Sequence, residues 1–186
     1  MQNILTEKSY LSEITSVLRV LSVQEIMLTI EKIADMIRKT RETRKRIYAF
    51  GNGGSASTAS HFAGDLSKGC GYKAFCINDN ITALTAFAND IGYYSIFEKY
   101  INNVVESGDI VVGISGSGNS VNILNGIISA KKRGAYTIGL TAFDGGKLKD
   151  LADAVIVVPT SNMEQAEDIH LMICHMIKIE LIRVGK

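Results

Sequence analysis

The 186-residue chain has one proline, three cysteines and almost no net charge, since 20 Lys and Arg stand against 19 Asp and Glu. Each scarcity excludes something. A formal charge of +1 leaves no electrostatic footprint for DNA or for an acidic membrane surface. Cys70, Cys76 and Cys174 are odd in number and form no C-x-x-C pair, which argues against a disulfide framework or a zinc ribbon. No apolar run approaches the ~18 residues of a membrane span, and no charged segment leads into an apolar one as in a signal peptide. What is present is an ordinary globular balance, 46% hydrophobic and 21% charged. One core suffices at this length, because a chain of ~150 residues already buries ~70% of its unfolded surface. No repeat, low-complexity stretch or linker divides the chain. The expectation is a soluble, cytoplasmic protein of one domain.

The glycines gather at a few places, each after a short β-branched apolar run. Five runs stand out: Arg46–Phe50, Lys73–Ile77, Ile110–Ile114, Tyr136–Leu140 and Ala154–Val158. They do not alternate apolar with polar, and a continuous apolar run suits a parallel strand covered on both faces. Helical patterns lie between them, over Ser55–Lys68, Thr82–Tyr100 with a break near Gly92, Ser120–Arg133 and Gly146–Ala152. Strands alternating with helices predict an α/β fold on a parallel sheet with right-handed crossovers. The first 45 residues carry two helical stripes, Leu11, Ile14, Leu18 and Ile26, Ile30, Ile33, Ile37. Between them Ser22 and Glu25 make a capping-box pattern that starts a helix at Val23. From Met163 to Val184 apolar residues fall on nearly every face, where a surface helix would leave a wide polar one. Both terminal segments are expected to pack on the core and between subunits.

The first strand runs into Gly51-Asn-Gly-Gly-Ser55 and then a helix. Glycines there let the backbone approach a ligand, and the helix N-terminus offers free N–H groups to an anion. Gly51, Gly53 and Ala56 formally fit a dinucleotide fingerprint. A nicotinamide site, however, wants an acidic residue ~20 positions on, and Asp79 is too far and in a polar loop. The third strand ends in Ile114-Ser-Gly-Ser-Gly-Asn-Ser120, where the hydroxyls of Ser115, Ser117 and Ser120 meet a second helix start. No lysine follows, so this is no nucleotide P-loop; it is a cradle for one phosphate. Both loops sit at carboxyl ends of neighbouring parallel strands, where open α/β sheets bind ligands.

Metal-ligand chemistry is confined to two helices. His61 and Asp65 are four apart and share a face. The last helix adds Glu164, Glu167, Asp168, His170 and His175. At 100° per residue, Glu164 and Glu167 lie ~20° and ~80° from His175, so either can share an ion with it.

The pair GNGGS and SGSGNS, with Ala88-Asn89-Asp90-Ile-Gly-Tyr93 between them and Asp144-Gly-Gly-Lys-Leu148 after, resembles the sugar isomerase (SIS) domain family. Within it the chain is most similar to the phosphoheptose isomerases, and the similarity covers almost the whole length. That resemblance implies a single SIS domain over 1–186, with 1–45 as a helical arm. It implies a three-layer α/β/α fold on a five-stranded parallel sheet, and a homotetramer with active sites shared between subunits. It also implies one zinc per subunit on His61, Asp65, Glu167 and His175. Two of these depart from the family pattern: Asp65 stands for Glu and is one methylene shorter, and Glu167 stands for Gln. A second carboxylate makes the zinc centre neutral, which weakens its Lewis acidity and tightens its hold on the ion.

The implied reaction interconverts sedoheptulose 7-phosphate and D-glycero-D-manno-heptose 7-phosphate through an enediol. Such a step needs a base, an acid and a group that polarises the carbonyl oxygen. Asp65 is the first candidate base, with His175 opposing it; Glu167 is the alternative base. Asn52, Gly53, Gly54 and Ser55 match the first substrate loop, Asn89 and Asp90 a pair that bonds sugar hydroxyls, and Ser115, Gly116, Ser117 and Ser120 the phosphate loop. Gly116 stands where many relatives have Thr, and Lys68 lies near a missing Arg. His170 is left open between a ligand and a core imidazole. The competing expectations are an isomerase of another sugar phosphate and a non-catalytic SIS protein that binds a sugar phosphate or a replication initiator.

Overall fold

The computed structural model describes residues 7–21 and 24–184. The five apolar runs become strands β1 (Ile47–Gly51), β2 (Ala74–Cys76), β3 (Ile110–Ser115), β4 (Tyr136–Ala142) and β5 (Ala154–Val158). All pairs are parallel and the order across the sheet is β2-β1-β3-β4-β5. The helices are α1 (Glu7–Leu21), α2 (Gln24–Thr43), α3 (Gly54–Gly64), α4 (Ile81–Asp90), α5 (Ile96–Val104), α6 (Val121–Lys132), the short α7 (Leu148–Leu151) and α8 (Met163–Val184).

Successive residues of a strand point to opposite faces, so the central strands β1 and β3 feed two apolar layers, whereas β2, β4 and β5 contribute to the first only. Ile47 and Ala49 of β1, with Ile110 and Val112 of β3, pack with residues of α1, α2, α3 and α8. Tyr48, Phe50 and Val111 point the other way, into α5, α6 and α7 with α4 alongside. The sheet is therefore covered on both sides, and all six residues of β3 are buried. That double cover is why the strands read as unbroken apolar runs.

The terminal helices differ in role. Ile30, Ile33, Ala34 and Ile37 of α2 are at most 1% exposed, so α2 is a core helix in the single chain, more than an arm. The helix start expected at Val23, with its capping box, lies outside the described residues. Met172, Ile179 and Ile182 leave an apolar side of α8 open to solvent, and none of the α4 residues is buried.

Two helical expectations change in detail. The stretch Ser55–Lys68 is not one regular helix: after Gly64 the chain continues as a π-turn over Asp65–Gly69. A π-turn adds a residue to the turn and is frequent at functional sites. The break near Gly92 is real. Gly92 takes φ +133, which side chains resist, and a 3₁₀ turn over Tyr93–Ser95 then leads into α5.

Candidate active site

The carboxyl ends of β1 and β3 are neighbours in the sheet, and α3 and α6 start just beyond them. The turn from β1 into α3 passes through Gly53 at φ +54, ψ −125, a conformation open to glycine. Neither Gly53 nor Ser120 caps its helix with a side chain. Ala56 N already donates to Gly53 O and Ile123 N to Asn122 Oδ1, so it is the N–H groups before them, at the very start of each helix, that face a ligand, with the positive ends of two helix dipoles behind them. A cavity of about 260 Å³ opens between them. It is lined by Asn52, Gly53, Ser55, Ser115, Gly116, Ser117 and Ser120, all expected substrate contacts, and by Met163 and Glu167 of α8. Gly54 lies at its edge beneath the Glu167 carboxylate. The Ser115 and Ser120 hydroxyls are 3.3 Å apart, facing the same space. Met163 sits over Gly116, where a side chain would collide with its sulfur, which accounts locally for glycine at that position.

A larger groove of about 850 Å³ runs beside the β2 edge, past Tyr48, Phe75, Asp79 and Tyr100. It holds none of the loop residues, and the one helix start in it, that of α4, is already capped by Asn80, whose side chain accepts from Ala83 N; the smaller cavity is the candidate site.

The two loops are joined by a pair of amides. Asn52 Nδ2 donates to Asn122 Oδ1 at 2.9 Å, and Asn122 Nδ2 donates back to Asn52 Oδ1 at 2.8 Å. Tyr93 Oη donates to the same Asn52 Oδ1 at 2.9 Å. Behind them, Asn78 pins the end of β1, accepting from Gly51 N at 3.1 Å and donating to Gly51 O at 2.9 Å. Sequence reasoning missed Asn78, Tyr93 and Asn122. Asn122, two residues past Ser120 in the first turn of α6, carried a readable signal; the others did not.

Farther along α3 and α8 three donors converge. His61 Nε2 and His175 Nε2 are 3.2 Å apart, and Asp65 Oδ2 is 3.6 Å from each. Two imidazoles and a carboxylate form the usual protein set of a catalytic zinc, and ligands ~2.0–2.1 Å from a tetrahedral ion stand ~3.3 Å from one another. The residues fit such an ion. Lys178 Nζ donates to the other oxygen, Asp65 Oδ1, at 2.6 Å. Burial pushes the Asp65 carboxyl up, but the Lys178 ammonium and the two histidines outweigh it and hold it below its ordinary value. Lys178, three residues beyond His175 on the same helix face, was also missed.

Glu167 does not join this cluster among the described residues. Eight residues along α8 is ~12 Å of rise, so while His175 reaches His61, Glu167 lies level with the start of α3. The expected four-ligand set is three residues here, with Glu167 in the loop cavity. Asn89 and Asp90 are likewise outside that cavity. They end α4, exposed, with Asn89 Nδ2 donating to Asp90 Oδ1 at 2.9 Å. His170 is a core residue: fully buried, its Nε2 lies 3.0 Å from Thr141 O. Burial lowers its pKa, against the opposing pull of that carbonyl. Lys68 is exposed on the π-turn.

The SIS domain pattern matches residues 9–142. The chain is 40% identical over 141 residues to the phosphoheptose isomerase of Nitratiruptor sp., spanning 73% of this chain and 75% of that one. The chain belongs to the SIS domain family. Over a longer span this SIS chain is 34% identical to the phosphoheptose isomerase of Aliarcobacter butzleri, covering 94% and 96% of the two. Its fold matches the phosphoheptose isomerase GmhA of Neisseria gonorrhoeae with a TM-score of 0.89 at 28% identity, over 95% of this chain and 96% of that one. No described helix is long and apolar enough to cross a membrane.

Proposed function

We propose that this SIS protein is a cytoplasmic phosphosugar isomerase of the phosphoheptose type. It interconverts sedoheptulose 7-phosphate and D-glycero-D-manno-heptose 7-phosphate, an early step toward a heptose-containing glycan. The observation that carries this is the cavity at the carboxyl pole, where two helices without side-chain caps and four serines face one space. A phosphate is the ligand that such a cradle satisfies, since N–H groups, hydroxyls and helix dipoles all favour an anion. Asn52, held by Asn122 and Tyr93, is placed to order the sugar chain beyond the phosphate.

His61, Asp65 and His175 would hold one zinc ion. Bound there, the ion supplies polarisation of the sugar carbonyl. The proton between C1 and C2 is then the work of the chain's own groups. Asp65 and His175 stand at the metal end, where a carbonyl polarised by the ion would lie, and Asp65 is the base that takes the proton from one carbon and returns it to the other. Glu167, about 12 Å of helix rise from His175, lines the phosphate cavity instead. His175, at the metal end, serves the hydroxyl and carbonyl oxygens. Asn89 and Asp90, exposed at the end of α4, reach sugar hydroxyls of a neighbouring subunit in a homotetramer. The unburied α4 and the open apolar side of α8 support that assembly.

The test is proton exchange. Protein incubated with sedoheptulose 7-phosphate in D₂O, with zinc or with EDTA, is followed by NMR. Deuterium entering C1 and C2 together with new aldose signals is expected, with loss under EDTA. Asp65→Asn should lower turnover ~10²–10⁴-fold while sugar-phosphate binding persists. Binding without exchange in the zinc-loaded protein would refute the isomerase in favour of a sugar-phosphate sensor.

A further inference from the structure

Asp65 divides its two oxygens between different neighbours. Oδ1 accepts from Lys178 Nζ at 2.6 Å, whereas Oδ2 stands 3.6 Å from Nε2 of both His61 and His175. The Lys178 side chain is 28% exposed and that of Asp65 is 18% exposed, so solvent competes only in part for either. The stem of Lys178 crosses Gly69, the last residue of the π-turn, where a methyl group would meet its Cε at 3.1 Å. One turn of the backbone therefore presents the carboxylate at its start and leaves a channel for the ammonium at its end.

We propose that Lys178 is a positioning residue that commits Asp65 to a bound metal as a one-oxygen ligand and sets the charge of the centre. The proposal rests on the His61–Asp65–His175 cluster being a metal centre. A carboxylate is able to give a divalent ion one oxygen or both, and the choice decides how many positions stay open for substrate. With Oδ1 engaged by an ammonium, Oδ2 alone is left for the ion. The ammonium also opposes the dication across the carboxylate. Lys178 thereby keeps the ion electrophilic and its coordination open, at the expense of affinity.

The experiment compares the full chain with Lys178→Met and Lys178→Arg, each stripped of metal and checked for folding by circular dichroism. Methionine keeps the length and packing of the stem without the charge; arginine keeps the charge. Zinc affinity is read by competition with a chromophoric chelator, and coordination by the visible spectrum of the cobalt(II) form, whose bands weaken as ligand number rises. Lys178→Met should bind zinc about tenfold more tightly and lose visible cobalt absorbance as Oδ1 joins the ion. Lys178→Arg should stay near the wild type in both. Zinc affinity and cobalt spectrum unchanged in Lys178→Met would overturn the proposal and leave the metal centre standing. Weaker zinc binding in that variant would overturn it too. A folded wild type that binds neither zinc nor cobalt would overturn the metal centre and the proposal together.

Discussion

Replacing Asn122 by alanine cuts the joint between the two loops. It deletes both amide–amide bonds, at 2.9 and 2.8 Å, and the one that Asn122 Oδ1 accepts from Ile123 N at 3.0 Å. At ~1 kcal/mol net for each neutral hydrogen bond, the upper bound is about 3 kcal/mol. Asn52 is partly exposed and keeps the bond from Tyr93, so water recovers a share and the expected loss in urea unfolding is about 2 kcal/mol. With the first loop free to shift against the second, kcat/KM should fall ~10–100-fold. Asn122→Asp sharpens the test. The carboxylate still accepts from Asn52 Nδ2 and Ile123 N, but it has no N–H for Asn52 Oδ1. Its charge suits the first turn of α6 and limits the damage to folding, while it repels a phosphate bound at the same helix start. KM should therefore rise more than kcat falls. Unfolding is followed by circular dichroism and isomerisation by NMR. Alanine at 122 with wild-type stability and kinetics would refute the joint; aspartate with an unchanged KM would refute the phosphate's place at α6.

Ser120→Ala removes one hydroxyl from the phosphate cradle, and KM should rise about fivefold to tenfold with kcat nearly unchanged. Stability should hardly move, because the Ser120 side chain makes no capping bond; a steady-state titration and a melt check both. His170 gives a pH signature. Burial holds its folded pKa below the ordinary value of 6.5, so the unfolded chain takes up a proton first as pH falls. Its contribution is whole above that value and is lost below it, at up to ~1.4 kcal/mol per pH unit until the folded pKa is reached. His170→Phe should lack this component, so the wild-type and variant urea midpoints should converge or cross between about pH 7.5 and pH 5.5. A constant gap across that range would refute a neutral, buried His170.

The parallel sheet was legible because strands covered on both faces must be apolar along their whole length, as β3 is. Both loops were legible because a strand-to-helix turn that approaches a ligand needs glycine, and Gly51-Asn-Gly-Gly-Ser55 leaves little else to do. His61 and Asp65 were readable as a pair from their spacing on one helix. The π-turn at Asp65 was not, since residue composition does not distinguish a turn with one extra residue from a regular one.

Local chemistry is written in the sequence where the partners are close along the chain: the strand runs, the glycine turns, the serines of the cradle, the donors of α3. The tertiary structure alone decided which distant groups share those places. Asp65 meets Lys178 across 113 residues and Asn52 meets Asn122 across 70, contacts that helical phase and spacing do not encode. For Glu167 and His175 the sequence supplied an angle about the helix axis, whereas a common ion also depends on the ~12 Å of rise between them. Packing of α8 along α3 sets that second coordinate, placing His175 at His61 and Glu167 in the cavity between the loops.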